Sequence, residues 1–164
     1  MPQVFVGIGS NINREQNIRG GVADLRQRFG ELRLSTVYES AAVGFDGSNF
    51  YNLVAAFESD EDVAAITTAL HEIEDAHGRT REGPRFSSRT LDIDLLLYGD
   101  LVLQQGKLEL PRNEITKNAF VLRPLAELAS GLQHPVLKKS YAELWDDFDQ
   151  QKQPLWPVSF DLVD

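Results

Sequence analysis

Cysteine is absent from this 164-residue sequence. Its absence excludes a disulfide framework, a thiolate nucleophile and cysteine-ligated zinc or iron–sulfur sites. Histidine is scarce. His71 and His77 are spaced off one helical face, so neither has a partner at metal-ligand spacing, and both read as surface residues. No apolar run approaches the roughly 18 residues of a membrane span. The opening stretch MPQVFVGIGSN lacks a basic n-region and a long apolar core, which reads against a signal peptide. Positive charge is also short. Sixteen Lys and Arg face 25 Asp and Glu, a formal net charge of −9. That balance argues against general binding to nucleic acid or to an anionic membrane. With 42% hydrophobic and 25% charged residues, the composition is that of a globular protein. A single domain, residues 1–164, is expected, cytoplasmic by default.

Against that acidic background one stretch stands out, GRTREGPRFSSRTLDIDLLLYGD from Gly78 to Asp100. Four arginines, Arg79, Arg81, Arg85 and Arg89, precede two aspartates, Asp92 and Asp94. The aspartates open an apolar run through Tyr98 that reads as a buried strand. Residues i and i+2 of a strand share a face, so the two carboxylates emerge side by side, roughly 7 Å apart at Cα. Leu91, Ile93 and Leu95 face the other way. Two like charges so placed repel unless a cation lies between them, and a hard divalent ion such as Mg2+ suits them. Arginine forks suit phosphate. The combination points to phosphoryl transfer. A solvated strand face beside a solvated loop is the plainer alternative.

The rest of the chain supplies a frame. Gln3 to Ser10 reads as a strand ending in the turn Gly9-Ser10-Asn11. Asn17 to Phe29 reads as a helix, weakened by Gly20-Gly21 and capped by Gly30. Leu32 to Tyr38 alternates as a strand. Ser40 to Asn49 is too long for a hairpin turn and reads as a functional loop. Phe50 to Glu58 is a further strand with Phe50, Asn52, Val54 and Ala56 on one face. Asn52 either bonds a neighbouring loop or reads the edge of a heterocycle. Ser59 or Asp60 is expected to cap a helix from Glu61 to His77. Beyond Tyr98 a short hairpin around Gly106 is expected, then a loop at Pro111-Arg112-Asn113. A helix follows from Phe120 to Ala129 with Pro124 in its first turn, and a last helical segment spans Tyr141 to Phe148. The tail from Asp149 reads as loosely packed and extended. The order β-α-β-β-α-β predicts an α+β, ferredoxin-like core. Its antiparallel sheet carries helices on one face, and a C-terminal helical extension follows.

Three segments together resemble the 6-hydroxymethyl-7,8-dihydropterin pyrophosphokinase family. They are Ile8-Gly9-Ser10-Asn11, Phe50-Tyr51-Asn52, and Gly83-Pro84-Arg85 with Arg89-Thr90-Leu91-Asp92-Ile93-Asp94. The resemblance covers about residues 2 to 130. It implies transfer of pyrophosphate from ATP to a reduced pterin, releasing AMP, with two Mg2+ ions, by a monomer whose partners are these small molecules. Carried over by position, Asp92 and Asp94 hold both metals, and Arg79, Arg81, Arg85 and Arg89 form the phosphate-binding loop. Asn52 reads the pterin edge, Phe50 and Phe120 sandwich the ring, and Ser40 and Val43 belong to the loop closing over it. Glu74, Leu95, Lys107 and Arg112 fall at nucleotide positions. Arg112 stands where the family commonly has histidine, and Asn118 where it has a basic residue. A diverged paralogue and a non-catalytic pterin- or nucleotide-binding module are the competing readings.

Overall fold

The computed structural model describes residues 1–41, 48–78, 90–160 and 162. The chain runs β1 (Gln3–Ser10), α1 (Arg14–Phe29), β2 (Arg33–Leu34), β3 (Val37–Ser40), β4 (Phe50–Glu58), α2 (Val63–Ala76) and β5 (Asp92–Tyr98). A hairpin of β6 (Leu103–Gln105) and β7 (Leu108–Leu110) follows, then a 3-10 turn, Asn113–Thr116. Two helices, α3 (Ala119–Leu128) and α4 (Tyr141–Asp147), and a last strand, β8 (Leu155–Val158), complete it.

Six strands form one antiparallel sheet in the order β5-β1-β4-β3-β8, with β2 also pairing β4, while β6 and β7 pair apart from it. The first four strands of that order are the ferredoxin-like arrangement that the element order predicts. Strand alternation then separates two cores. Val4, Val6, Ile8, Leu53, Ala55, Ile93 and Leu95 pack with Ile18, Val22 and Leu25 of α1 and with Ile66, Leu70 and Ile73 of α2. Phe5, Val54, Ala56, Leu96 and Leu97 face the other way and pack against α3, with Tyr141 of α4. Helices therefore cover both faces, because the C-terminal extension folds back over the second one.

Several local expectations shift for identifiable reasons. The helix α2 starts later than expected, because Asp62 rather than Ser59 or Asp60 is its N-cap and accepts from the Ala65 N–H at 2.8 Å. The expected strand from Leu32 divides at Ser35. There the backbone N–H donates to Val54 O, and the Ser35 hydroxyl accepts from Val54 N–H, both at 2.9 Å. Pro124 lies inside α3 rather than in its first turn, where its missing N–H leaves one carbonyl without its usual partner.

His77 is not a surface residue. Its ring is 19% exposed and lies 2.8 Å from the Asp24 carboxylate. It packs where a Cβ on Gly20 would come within 2.4 Å of its Cε1. A Cβ on Gly21 would likewise meet Leu91 at 2.9 Å. The glycine pair that weakens α1 as a helix lets it approach the end of α2 and the entry to β5. The tail is not loose either, since β8 pairs with β3 along its whole length.

Candidate active site

The second face of the sheet is covered by α3 only in part. At the other end of that face, three strands bring polar residues into one row. Gly9 on β1 lies between Asn52 on β4 and Asp92 on β5. Directly opposed residues of an antiparallel ladder share a face. Strand spacing therefore puts Asn52 and Asp92 about 10 Å apart at the backbone, with glycine between them. A Cβ on Gly9 would come within 2.6 Å of Asn52 Nδ2 and 3.8 Å of Phe50 Cδ1. The Asn52 amide thus lies across the glycine. Ser40 pairs with Phe50 on the next row, so Ser40, Phe50 and Asn52 share the face. Among the described residues, Asn52 Oδ1 and Ser40 Oγ are buried with no hydrogen-bond partner. Such groups cost about 1–3 kcal/mol each while unsatisfied, and the edge of a bound heterocycle would satisfy them. Phe120, in the first turn of α3, is partly buried against the second core.

At the Asp92 end of the row the carboxylates gather. Asp92 and Asp94 are both half-buried on β5. Glu74 reaches them from α2; it is buried, and its Oε2 accepts from the Ile93 N–H at 2.8 Å. β5 is an edge strand, so Glu74 satisfies a backbone donor that the sheet leaves outward, between the two aspartates. Oxygens of Glu74, Asp92 and Asp94 lie within 4.8 Å of one another. Burial, and then the Asp92 charge, push the Asp94 carboxyl well above its ordinary value, while the Arg112 guanidinium opposes them. Arg112 Nη2 lies 3.6 Å from Asp94 Oδ1 and 3.2 Å from Glu114 Oε1. Its backbone N–H donates to Leu96 O at 3.0 Å, fixing it beside β5. Desolvation works against its charge, but Asp94, Glu114 and Asp92 outweigh that and raise its pKa. An all-oxygen, anionic donor set with one carboxyl held up by burial and by its neighbour's charge fits a hard divalent cation such as Mg2+.

The remaining candidates fall in different places. Leu95 is 4% exposed and points into the α1–α2 core, so only its main chain faces the β5 edge. Lys107 is exposed in the turn between β6 and β7. Val43 and the arginines Arg79, Arg81, Arg85 and Arg89 lie outside the described residues.

Two features have no signal in the local sequence. Ser10, fully buried, donates from its hydroxyl to Thr90 O across 80 positions, and Asn11 Nδ2 donates to Ser48 O across 37 at 3.0 Å. The turn after β1 thereby ties the entry to β5 to the far end of the 40–49 loop. Glu39 accepts from Arg14 Nη1 at 3.0 Å and from Asn49 Nδ2 at 3.1 Å. It pins both ends of that loop to α1.

The family model of 7,8-dihydro-6-hydroxymethylpterin-pyrophosphokinase (HPPK) matches residues 5–130. The chain belongs to the HPPK family. Its relatives include the 2-amino-4-hydroxy-6-hydroxymethyldihydropteridine pyrophosphokinase of Pseudomonas aeruginosa, 36% identical over 137 residues, 81% of this chain and 84% of the relative. The protein of that name from Aquifex aeolicus is 32% identical over 145 residues, 87% and 90% of the two chains. Among solved structures, Plasmodium falciparum HPPK-DHPS with pteroate superposes with a TM-score of 0.74 at 13% identity, over 92% of this chain. That likeness supports the fold. This chain spans 43% of that longer protein's length. The HPPK match contains Gly9, Asn52, Glu74, both aspartates, Arg112 and Phe120, whereas α4 and β8 lie beyond it. Among the described residues no helix is long and apolar enough to cross a membrane.

Proposed function

We infer that this chain transfers the pyrophosphoryl group of ATP to the hydroxymethyl oxygen of 6-hydroxymethyl-7,8-dihydropterin, releasing AMP, a step of folate biosynthesis. One observation carries the reading. An unsatisfied buried amide oxygen and a carboxylate cluster occupy two ends of one sheet row, separated only by glycine. A flat heterocycle bonded to Asn52 and Ser40 and flanked by Phe50 and Phe120 would direct its substituent along that row toward Asp92 and Asp94. Aromatic flanks contribute about 1 kcal/mol beyond buried area.

The hydroxymethyl oxygen attacks the β-phosphorus and gives up its proton to solvent, a new P–O bond forms, and the bond from the β-phosphorus to the bridging α–β oxygen breaks, leaving that oxygen on AMP. Asp92, Asp94 and Glu74 would hold Mg2+, two ions by family resemblance; when bound, the metal supplies positive charge to the triphosphate and to the departing AMP oxygen. Arg112 already brings a cation to Asp94, and its guanidinium would meet phosphate as well. The phosphate-binding role of Arg79, Arg81, Arg85 and Arg89 rests on the family resemblance.

The test is AMP release from ATP with and without the pterin. Pterin-dependent AMP is the expected result. Pterin binding without any AMP would leave a binding module instead.

A further inference from the structure

The tail from Gln153 to Val158 lies outside the stretch that the HPPK family pattern matches. It nevertheless touches both elements that flank the acceptor position. The helix α3 carries Phe120 in its first turn, and its N-cap residue, Asn118, makes no side-chain cap. The cap comes from the tail. Gln153 Oε1 accepts from the Ala119 N–H and its Nε2 donates to Lys117 O, both at 2.8 Å. Arg123 of α3 donates from Nη1 to Leu155 O at 3.3 Å.

The opposite end of α3 is held differently. Glu127 accepts from the Thr36 N–H at 2.9 Å and from the Tyr38 hydroxyl at 2.8 Å. The Phe120 end thus depends on the tail for its side-chain cap, while the far end is anchored to the sheet.

The same tail then becomes β8 and pairs with β3, Leu155 opposite Ser40 and Trp156 opposite Glu39. That register sets Trp156 beside Glu39, the carboxylate that holds Arg14 and Asn49. Burial opposes ionisation of that carboxyl, but the bonds from Asn49 and Arg14 and the Arg14 charge outweigh it and hold it below its ordinary value. Arg14 also donates to Asn49 O at 3.0 Å and lies 3.8 Å over the Tyr51 ring. Through the β8–β3 pairing Trp156 therefore backs the network that fixes the strand ends bearing Ser40 and Phe50.

We propose that Gln153 and Trp156 are positioning residues for the pterin: one strap, Gln153–Val158, sets the Phe120 side of the acceptor site against its Ser40–Phe50 side. This rests on the pterin reading above. The strap bonds α3 and β3, whereas Glu74 bonds Ile93 of β5 and Arg112 pairs with Asp94 and Glu114, so its effect belongs to the acceptor and not to the nucleotide.

The experiment uses the full chain with Gln153→Ala, Trp156→Phe and the double substitution. Pterin affinity is measured by calorimetry, and KM is measured for both substrates. Loss of one cap bond is expected to raise the pterin Kd and KM about fivefold, and the double variant more. The KM for ATP stays within twofold, roughly the effect of a surface substitution. An unchanged pterin Kd in the double variant overturns the proposal. So does an equal rise in both KM values, which would mark general loosening. If the folded wild-type protein binds no pterin, the pterin reading fails and takes this inference with it.

Discussion

At the scale of single residues, the site depends on what Gly9 lacks. A methyl group there would press on Asn52 Nδ2 and turn the amide out of the row. Gly9→Ala is therefore expected to raise the pterin KM about tenfold, the worth of one well-made hydrogen bond, with the ATP KM unchanged. Steady-state kinetics with each substrate varied checks this, and an unchanged pterin KM removes Asn52 from the acceptor site. Glu74 makes a second case. Glu74→Leu leaves the Ile93 N–H without its acceptor, a loss of about 1–3 kcal/mol readable by urea unfolding. Glu74→Gln keeps an acceptor and recovers most of that stability. If Gln and Leu cost the same stability, charge rather than the Ile93 bond is what Glu74 provides. The aspartate pair was legible in the sequence because alternation alone puts Asp92 and Asp94 on one face. The glycine beneath Asn52 was not, since register across three strands is fixed by pairing that no local pattern encodes.

Among the elements, the segment joining α3 to α4 is organised by one histidine. His134 Nδ1 accepts from the N–H groups of Val136 at 3.2 Å and Leu137 at 3.1 Å. Only an unprotonated nitrogen can do so. Burial lowers its pKa below the ordinary histidine value. A group with a depressed folded-state pKa and a neutral acceptor role contributes stability that is fully present above the unfolded value, near 6.5. That stability is lost as pH falls through the lower folded-state value. The melting temperature should therefore fall below about pH 6.5. His134→Asn, whose Oδ1 accepts from the same two donors but does not titrate, should flatten that part of the profile. An identical slope in both proteins would assign the acid sensitivity elsewhere. The turn around His134 was opaque in the sequence because a histidine acting as a cap looks like any lone histidine. The tail was misread for a related reason. Its two prolines and exposed Trp156 look unstructured until β3 offers an edge to pair with.

Across the whole molecule, the ferredoxin-like order was readable because hydrophobic periodicity marks each core element. The coverage of the second sheet face was not, because the helices that provide it come after the core and their partner is set only by tertiary packing. That partial cover leaves one open end, and there the fold gathers negative charge in an already acidic chain, net −9. Burial and Asp92 raise the Asp94 pKa, so with no cation bound an ionised Asp94 opposes folding. Its contribution is favourable below the unfolded-state pKa and is lost as pH rises through the folded-state value. Asp94→Asn should accordingly make the metal-free protein more stable at pH 7 while abolishing turnover, which reverses the usual direction for a buried polar substitution. Mg2+ acts on the same balance from outside. At a hundred times its Kd it would add about 2.7 kcal/mol to the wild-type protein, a rise in Tm of roughly 5–10 °C for a chain this size. The Asp94→Asn variant should show little of that rise. Thermal unfolding of both proteins with EDTA and with Mg2+ gives four melting temperatures. A metal-free variant no more stable than wild type, or an equal Mg2+ shift in both, would mean that the cluster is not the cation site and that Arg112 alone balances Asp94.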